Sequence, residues 1–181
     1  MASLTIVSGW PGAGKSTLCS RLAKSAPHGL HLPSDVFYSF PGNPINPTLP
    51  ESRAQNTAVI RALGASSAVF LASGYDVFLD GIVGPWFLPT LLAEIPSEFS
   101  VAYLLLTISQ EEALRRVRNR EGRGLSDKVR ATRFAFDESS EYEDHKLDTT
   151  NLDSDAVLQI VREKLLNREF RLSRSRDAAA E

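Results

Sequence analysis

Residues 9–17 read GWPGAGKST. Gly9, Gly14, Lys15 and Ser16 satisfy G-x-x-x-x-G-K-[ST], the spacing of a loop that wraps the phosphates of a nucleoside triphosphate. Glycines let the backbone curl until its N–H groups converge, with no Cβ in the way. A helix starting directly behind the loop adds its positive end. Gly12, Ala13 and Gly14 form the curl. Lys15 is expected to reach the β- and γ-phosphates, Ser16 to bind Mg²⁺ through its hydroxyl, and Thr17 to contact the α-phosphate. The bland alternative is an accidental glycine loop, and the flanks argue against it. LTIVS at 4–8 is a short apolar, β-branched run, and Leu18, Cys19, Leu22, Ala23 and Ala26 follow at helical spacing. ATP and Mg²⁺ are the cofactors expected.

The rest of the composition is ordinary. The chain has 181 residues, 43% hydrophobic and 23% charged, enough for one substantial core. With 20 basic against 22 acidic residues the net charge is -2, so no general pull toward nucleic acid or an anionic membrane is expected. The single cysteine, Cys19, leaves no internal disulfide framework and fits a reducing compartment. The first residues read as a strand rather than a signal peptide, and no apolar run approaches a membrane span. A cytoplasmic protein, monomer or homodimer, with no membrane or nucleic-acid partner is the expectation.

Along the chain, residues 29–33 (GLHLP) read as a second strand ending at Ser34 and Asp35. Residues 40–50, FPGNPINPTLP, hold four prolines and two asparagines and read as a loop. An alanine-rich helix is expected over 51–72, closed by Gly74. A strand at 76–80 (DVFLD) ends in an acid, and a short helix is expected over 86–94. VAYLLL at 101–106 suits a strand covered on both faces. Residues 109–112, SQEE, form a capping-box pattern that opens a helix to about residue 120. A turn at 121–125, a helix over 127–138, a short strand at 146–148 and a helix over 153–166 complete the reading. In that last helix Val157, Ile160 and Val161 are expected to face inward. Strands alternating with helices argue for a parallel sheet with helices on both faces. One domain over 1–167 and a flexible tail over 168–181 are expected.

The kind of P-loop protein is narrowed first by what the sequence lacks. It has no N-K-x-D segment for reading guanine, and Asp80 is followed by Gly81 rather than a water-activating glutamate. The chain is also short for a ring ATPase with its added helical domain. Positive features then point to transfer onto a hydroxyl. Asp35 falls at the carboxyl end of strand two, the edge where open parallel sheets bind ligands. From there a carboxylate can accept the proton of an attacking hydroxyl, although a turn or N-cap aspartate is the plain alternative. Asp80, at the end of its strand, suits Mg²⁺ directly or through water, against the plain role of a loop-capping acid. The run RRVRNREGR at 115–123 puts Arg116 and Arg120 on one helix face, with Arg123 just beyond. Glu111–Arg115 and Glu112–Arg116 spacings make surface ion pairs for some of these. Arg120 and Arg123 lack such partners upstream and are the expected catalytic cations.

GWPGAGKST, SD after strand two, VFLDG, RRVRNREGRG and DTTNLDSDAV, in that order, resemble the small P-loop kinases. The group indicated is the chloramphenicol-phosphotransferase-like and zeta-toxin-like proteins, with gluconate and adenylylsulfate kinases as relatives. The resemblance spans residues 4–165. It implies a three-layer αβα P-loop fold, with a five-stranded parallel sheet in the order 2-3-1-4-5 and a small helical lid at about 116–138. It also implies Asp35 as base and Asp148, Thr149 and Thr150 near the adenine, so Thr149 joins Arg116 of the basic helix face as an expected nucleotide contact. The acceptor segments, FYSFPGNPINPTLP and GIVGPWFLP, spell out no particular substrate family. Phe37, Tyr38 and Trp86 could line an acceptor site for a partly apolar, hydroxyl-bearing small molecule, and Arg53 could read an acidic group. Core packing is the competing role for the aromatics, and a plain surface charge for Arg53. His28, His31 and His145 lack metal-ligand spacing and read as ordinary surface or strand residues. The function expected is an ATP-dependent kinase acting on a small-molecule hydroxyl. Its rivals are a nucleoside, nucleotide or nucleic-acid-end kinase, and a nucleotide-binding regulator with slow ATPase activity.

Overall fold

The computed structural model describes residues 2–121 and 142–173, without the side chains at 117–121. The aliphatic run at the start of the chain becomes β1 (Ser3–Gly9), buried from Leu4 onward. It can be this apolar because strands flank it on both edges. β1 pairs in parallel with β3 (Asp76–Asp80), from Leu4↔Val77 to Val7↔Asp80. On its other edge it pairs with β4 (Ser100–Thr107), from Ser3↔Ser100 to Gly9↔Leu106. β2 (Gly29–Pro33) adds outside β3, and β5 (Lys146–Asp148) adds outside β4. The sheet is therefore all parallel with order β2-β3-β1-β4-β5, as the resemblance implied. The chain order reverses at β1, so a crevice opens at the carboxyl end of that strand, where the glycine loop leaves it.

Helices cover both faces in three layers. α1 (Lys15–Ser25) lies on β2 and β3 and packs against α6 (Ser154–Leu166). α3 (Arg53–Ala72) lies on β3 and β1 and packs against α4 (Leu88–Leu92). Leu18, Cys19, Leu22 and Ala23 are the buried face of α1, as their spacing predicts. In α6, Val157 and Val161 are buried with Leu158, while Ile160 is only partly covered. α3 ends in a Schellman motif: Tyr75 N–H donates to Phe70 O and Gly74 N–H to Leu71 O, with Gly74 at φ +87. The Phe70 and Tyr75 rings meet edge-on at 6.0 Å, sealing the turn.

Four expectations need correcting. β2 ends at Pro33, and Ser34 and Asp35 open a short helix, α2 (Ser34–Tyr38). Pro33, extended at ψ 122, leaves the strand and caps that turn. The helix expected over 86–94 divides into a 3₁₀ turn, Pro85–Phe87, and α4. The capping box at the start of α5 (Gln110–Glu121) closes only on one side. Glu112 N–H donates to Ser109 Oγ, but Ser109 N–H donates to Thr150 Oγ1, and the Glu112 carboxylate pairs with Arg115 and Arg116. Lastly, the chain does not fray at residue 168. Phe170 is buried at 1% exposure, Tyr103 N–H donates to Phe170 O, and Leu172 N–H donates to Val101 O. β5 reaches only Leu105 to Thr107 of its neighbour, so residues 170–172 cover the remaining edge of β4 in antiparallel sense. The helix expected over 127–138 lies outside the described residues.

The proline-rich loop at 40–50 is pinned by side chains. Gln55 grips Ile45 in both directions, its Oε1 accepting from Ile45 N–H and its Nε2 donating to Ile45 O, each at 2.8 Å. Asn56 Nδ2 and Ser52 Oγ both donate to Pro47 O. Without regular secondary structure, the loop's backbone groups find these partners on the adjoining helical turns.

Candidate active site

At the crevice the glycine loop turns through Gly9, Gly12 and Gly14, at φ +121, +82 and +93. Gly9 has a second reason to be glycine. A Cβ there would lie 2.0 Å from Leu106 O of β4, so any side chain would push the loop off the sheet. Trp10 N–H donates to Leu106 O, and Ala13 N–H returns to Trp10 O, closing the curl. Lys15 folds back over the loop, its Nζ donating to Gly9 O at 3.1 Å and Trp10 O at 2.9 Å.

The loop floors a cleft of ≈ 490 Å³. Residues 11–18, Asp35, Asp80 to Ile82, Arg116, residues 152–154 and Val157 line it. The carboxyl ends of β1, β2 and β3 and the first turn of α6 thus converge on one space. Asp80 is buried and committed on both oxygens: Oδ2 accepts from the Ser16 hydroxyl, and Oδ1 faces His31 Nε2 at 2.6 Å. The buried Cys19 thiol lies nearby, pushed well above its usual range by burial first and by the Asp80 charge second. Ser16 and Asp80 are adjacent hard oxygen donors at the mouth of a phosphate loop. This donor set fits Mg²⁺, which keeps several waters and takes one or two protein oxygens besides phosphate.

The exit from Asp80 is clamped. Gly81 N–H donates to Val7 O, Val83 N–H to Ser8 Oγ, and the Tyr103 hydroxyl to Val83 O. Gly81 must be small, because a Cβ there would lie 1.8 Å from Ser34 Oγ and 2.6 Å from Ser34 Cβ. The exits of β2 and β3 thus pass close together, with Asp35 next to Ser34 at the cleft. Asp35 sits in the first turn of α2 and is exposed.

The other expected site residues divide. Gly12, Ala13, Gly14, Lys15, Ser16, Thr17, Asp35, Asp80 and Arg116 all line the cleft. Arg116 does so while its Nε donates to the Glu112 carboxylate at 2.7 Å. Arg120 and Arg123 fall outside what is described of side chains. Thr149 does not line the cleft. It is buried at 1% exposure, and its hydroxyl donates toward Ala13 O and Thr107 O, so it ties the phosphate loop to β4. Leu152, Asp153 and Ser154, a few residues further on, do line the cleft. These read in the sequence only as a helix start, and Asp153 does cap α6 by accepting from Asp155 and Ala156 N–H. Arg21 of α1 bonds Ser154 and Asp155, which locks that turn beside the loop.

Phe37, Tyr38, Trp86 and Arg53 do not line this cleft either. Phe37 and Tyr38 pack against the core. Burial and then the Asp35 charge push the Tyr38 phenol up to about 12. The Trp86 ring lies over Gly84, where a Cβ would come within 2.3 Å of it. Arg53 borders a separate shallow dish with Glu51, Thr57 and Arg61. His31 lies within β2, and its contact with Asp80 is not legible from the sequence.

A family model described as AAA domain matches residues 6–134 of the chain. No curated protein gives a significant sequence match. Among solved structures, a sugar kinase from Janibacter sp. HTCC2649 is similar at a TM-score of 0.70 and 19% identity, over 91% of this chain and 95% of that one. The tunicamycin resistance protein of Deinococcus radiodurans gives a TM-score of 0.68 at 14% identity, over 91% and 96%. The APS kinase CysC of Mycobacterium tuberculosis, solved with AMPPNP and APS, gives 0.67 at 17%, over 91% and 98%. At these identities the likeness establishes the P-loop kinase fold.

Proposed function

The chain belongs to the AAA domain family, and from that premise we propose that it is an ATP-dependent kinase acting on the hydroxyl of a small molecule. The observation that carries this reading is that Asp35 lines the same cleft as Lys15, Ser16 and Asp80. A hydrolase needs a residue to activate water. A kinase needs a carboxylate near the terminal phosphate that can take a proton from an acceptor held in place.

The N–H groups of the loop, with Lys15, would hold the phosphates, and Ser16 and Asp80 would hold Mg²⁺, which would supply charge neutralisation there. Arg116 approaches from α5, and Arg120 and Arg123 are assigned the charge that develops during transfer. Asp35 orients the acceptor hydroxyl and takes its proton as the new O–P bond forms. Neighbouring structures described as a sugar kinase and a tunicamycin resistance protein support a small-molecule acceptor.

An ADP-release screen over hydroxylated metabolites, phenicol- and aminoglycoside-like compounds, nucleosides and oligonucleotides tests the class. Release that depends on a small-molecule acceptor is the expected result. Equal release with and without acceptors makes the protein an ATPase, and release stimulated only by nucleosides or oligonucleotides moves it to the rival kinase class. Asp35→Asn then tests the base. It should leave Mg²⁺-ATP binding nearly intact while cutting acceptor-dependent transfer by about 10²-fold or more. A variant that transfers at the original rate removes Asp35 from the mechanism.

A further inference from the structure

His31 lies within β2, opposite Phe78 of β3, and two residues before Pro33, which stands opposite Asp80. Alternation along the strands puts His31 on the same sheet face as Asp80, one step back from the cleft. Its Nε2 stands 2.6 Å from Asp80 Oδ1, while Asp80 Oδ2 takes the Ser16 hydroxyl. Facing a carboxylate oxygen, Nε2 is the protonated nitrogen and donates. The aspartate side chain is 6% exposed and the histidine side chain 24%, so the imidazole reaches inward to the buried acid.

The terminal torsion of an aspartate is broad, with little intrinsic preference. A buried carboxylate therefore holds one orientation only where its oxygens are tied from outside. Here one oxygen belongs to the phosphate loop through Ser16, and the other is anchored by a strand that the loop does not touch through that bond. Mg²⁺ demands near-octahedral geometry from very few protein ligands, so the angle of each one matters.

We infer that His31 is a positioning residue for the metal: its N–H locks the Asp80 carboxylate so that the oxygen paired with Ser16 stays turned toward the phosphate loop. His31 then sets how tightly the protein takes Mg²⁺ beside ATP without touching either. This rests on the reading of Ser16 and Asp80 as the metal pair. Partners of this kind, one bond removed from the metal, change metal affinity by roughly 10- to 100-fold when lost.

A rung that merely joins β2 to β3 makes a different prediction. It would lower folding stability and nucleotide binding together, with or without metal. ATP affinity measured against Mg²⁺ concentration, and again in EDTA, separates the two for wild type, His31→Leu and His31→Gln. In His31→Leu the Mg²⁺ needed for half of the metal-dependent gain in ATP affinity should rise about 10-fold or more. Affinity in EDTA should stay close to wild type, while the nucleotide-free protein should melt somewhat lower because a buried Asp80 oxygen loses its donor. His31→Gln should recover most of the metal response, because its amide N–H stands as many bonds from Cα as Nε2 does.

The inference is overturned by an unchanged Mg²⁺ requirement in His31→Leu, by a parallel loss in EDTA, or by a glutamine variant as weak as the leucine one. Should His31→Leu fail to fold, His31→Asn replaces it. Its donor is one bond shorter, so a metal defect in asparagine but not glutamine supports the role, and equal behaviour of the two overturns it. Wild type whose ATP binding ignores Mg²⁺ overturns the metal-pair reading itself. Metal-dependent wild type with an indifferent His31→Leu overturns the positioning role alone.

Discussion

Single residues carry the phosphate site, and most of them were legible in order along the chain. Gly9, Gly14, Lys15 and Ser16 declare themselves because a phosphate cradle is a local structure, complete within nine residues. His31 was not legible, because its partner lies 49 residues away and the meeting depends on the register of β2 against β3. The burial of Thr149 against Ala13 was not legible for a related reason: it follows from where β5 ends, which spacing alone does not reveal. Lys15 offers the plainest test at this scale. Its ammonium is already held over the loop by two carbonyls of that loop, so it is aimed before any phosphate arrives. Lys15→Ala should abolish most of the rise in melting temperature produced by Mg²⁺-ATP, because that rise is set by the affinity of the folded state. An undiminished shift would mean that the loop does not hold the triphosphate as argued.

At the scale of elements, sequence patterns succeeded where the end of a helix is a short-range event. Gly74 closing α3 is such a case, since the motif needs only residues 70–75. α2 was missed because five residues after a proline carry no periodic signal, and the start of α5 was only half right because Thr150 competes for the Ser109 N–H. That competition releases the Glu112 side chain to Arg115 and Arg116, and it has a titration consequence. Hydrogen bonds from Arg115, then Arg116, lower the Glu112 carboxyl from 4.5 to about 2. A carboxyl depressed in the folded state contributes stability that is present above its ordinary range and lost as pH falls through the folded value. The pair should therefore hold at pH 4 and open only near about pH 2. Carboxyl chemical shifts followed through an acid titration read this directly, and Arg115→Ala with Arg116→Ala should return Glu112 to the ordinary range. A midpoint that stays low in that double variant would assign the depression to another group.

At the scale of the molecule, the candidate site and the cover over β4 lie toward opposite ends of the strands. The cleft lies where the strands end, whereas residues 170–172 cover β4 near its beginning, at Val101 to Tyr103. Little in the residue pattern announces this cover. Residues 168–181 are polar and basic, and one phenylalanine among them is a weak signal for a strand partner. The need for it arises only after β5 proves too short to cover β4. Phe170 is buried at 1% exposure beside His145, with the Lys164 ammonium 5.6 Å from its ring centre. Phe170→Ala removes a full aromatic side chain from the core and should destabilise the fold by about 3–5 kcal/mol in denaturant titrations. The loss should not reach the phosphate loop. Under conditions where the variant is folded, its affinity for Mg²⁺-ATP should match wild type, since the cleft gathers at the carboxyl ends of the strands and Phe170 packs at the opposite end of β4. A stability loss below about 1 kcal/mol would mean that residues 170–172 only rest on the sheet. A matching drop in ATP affinity would mean instead that β4 transmits strain along its length to Leu106, whose carbonyl anchors Trp10 of the loop.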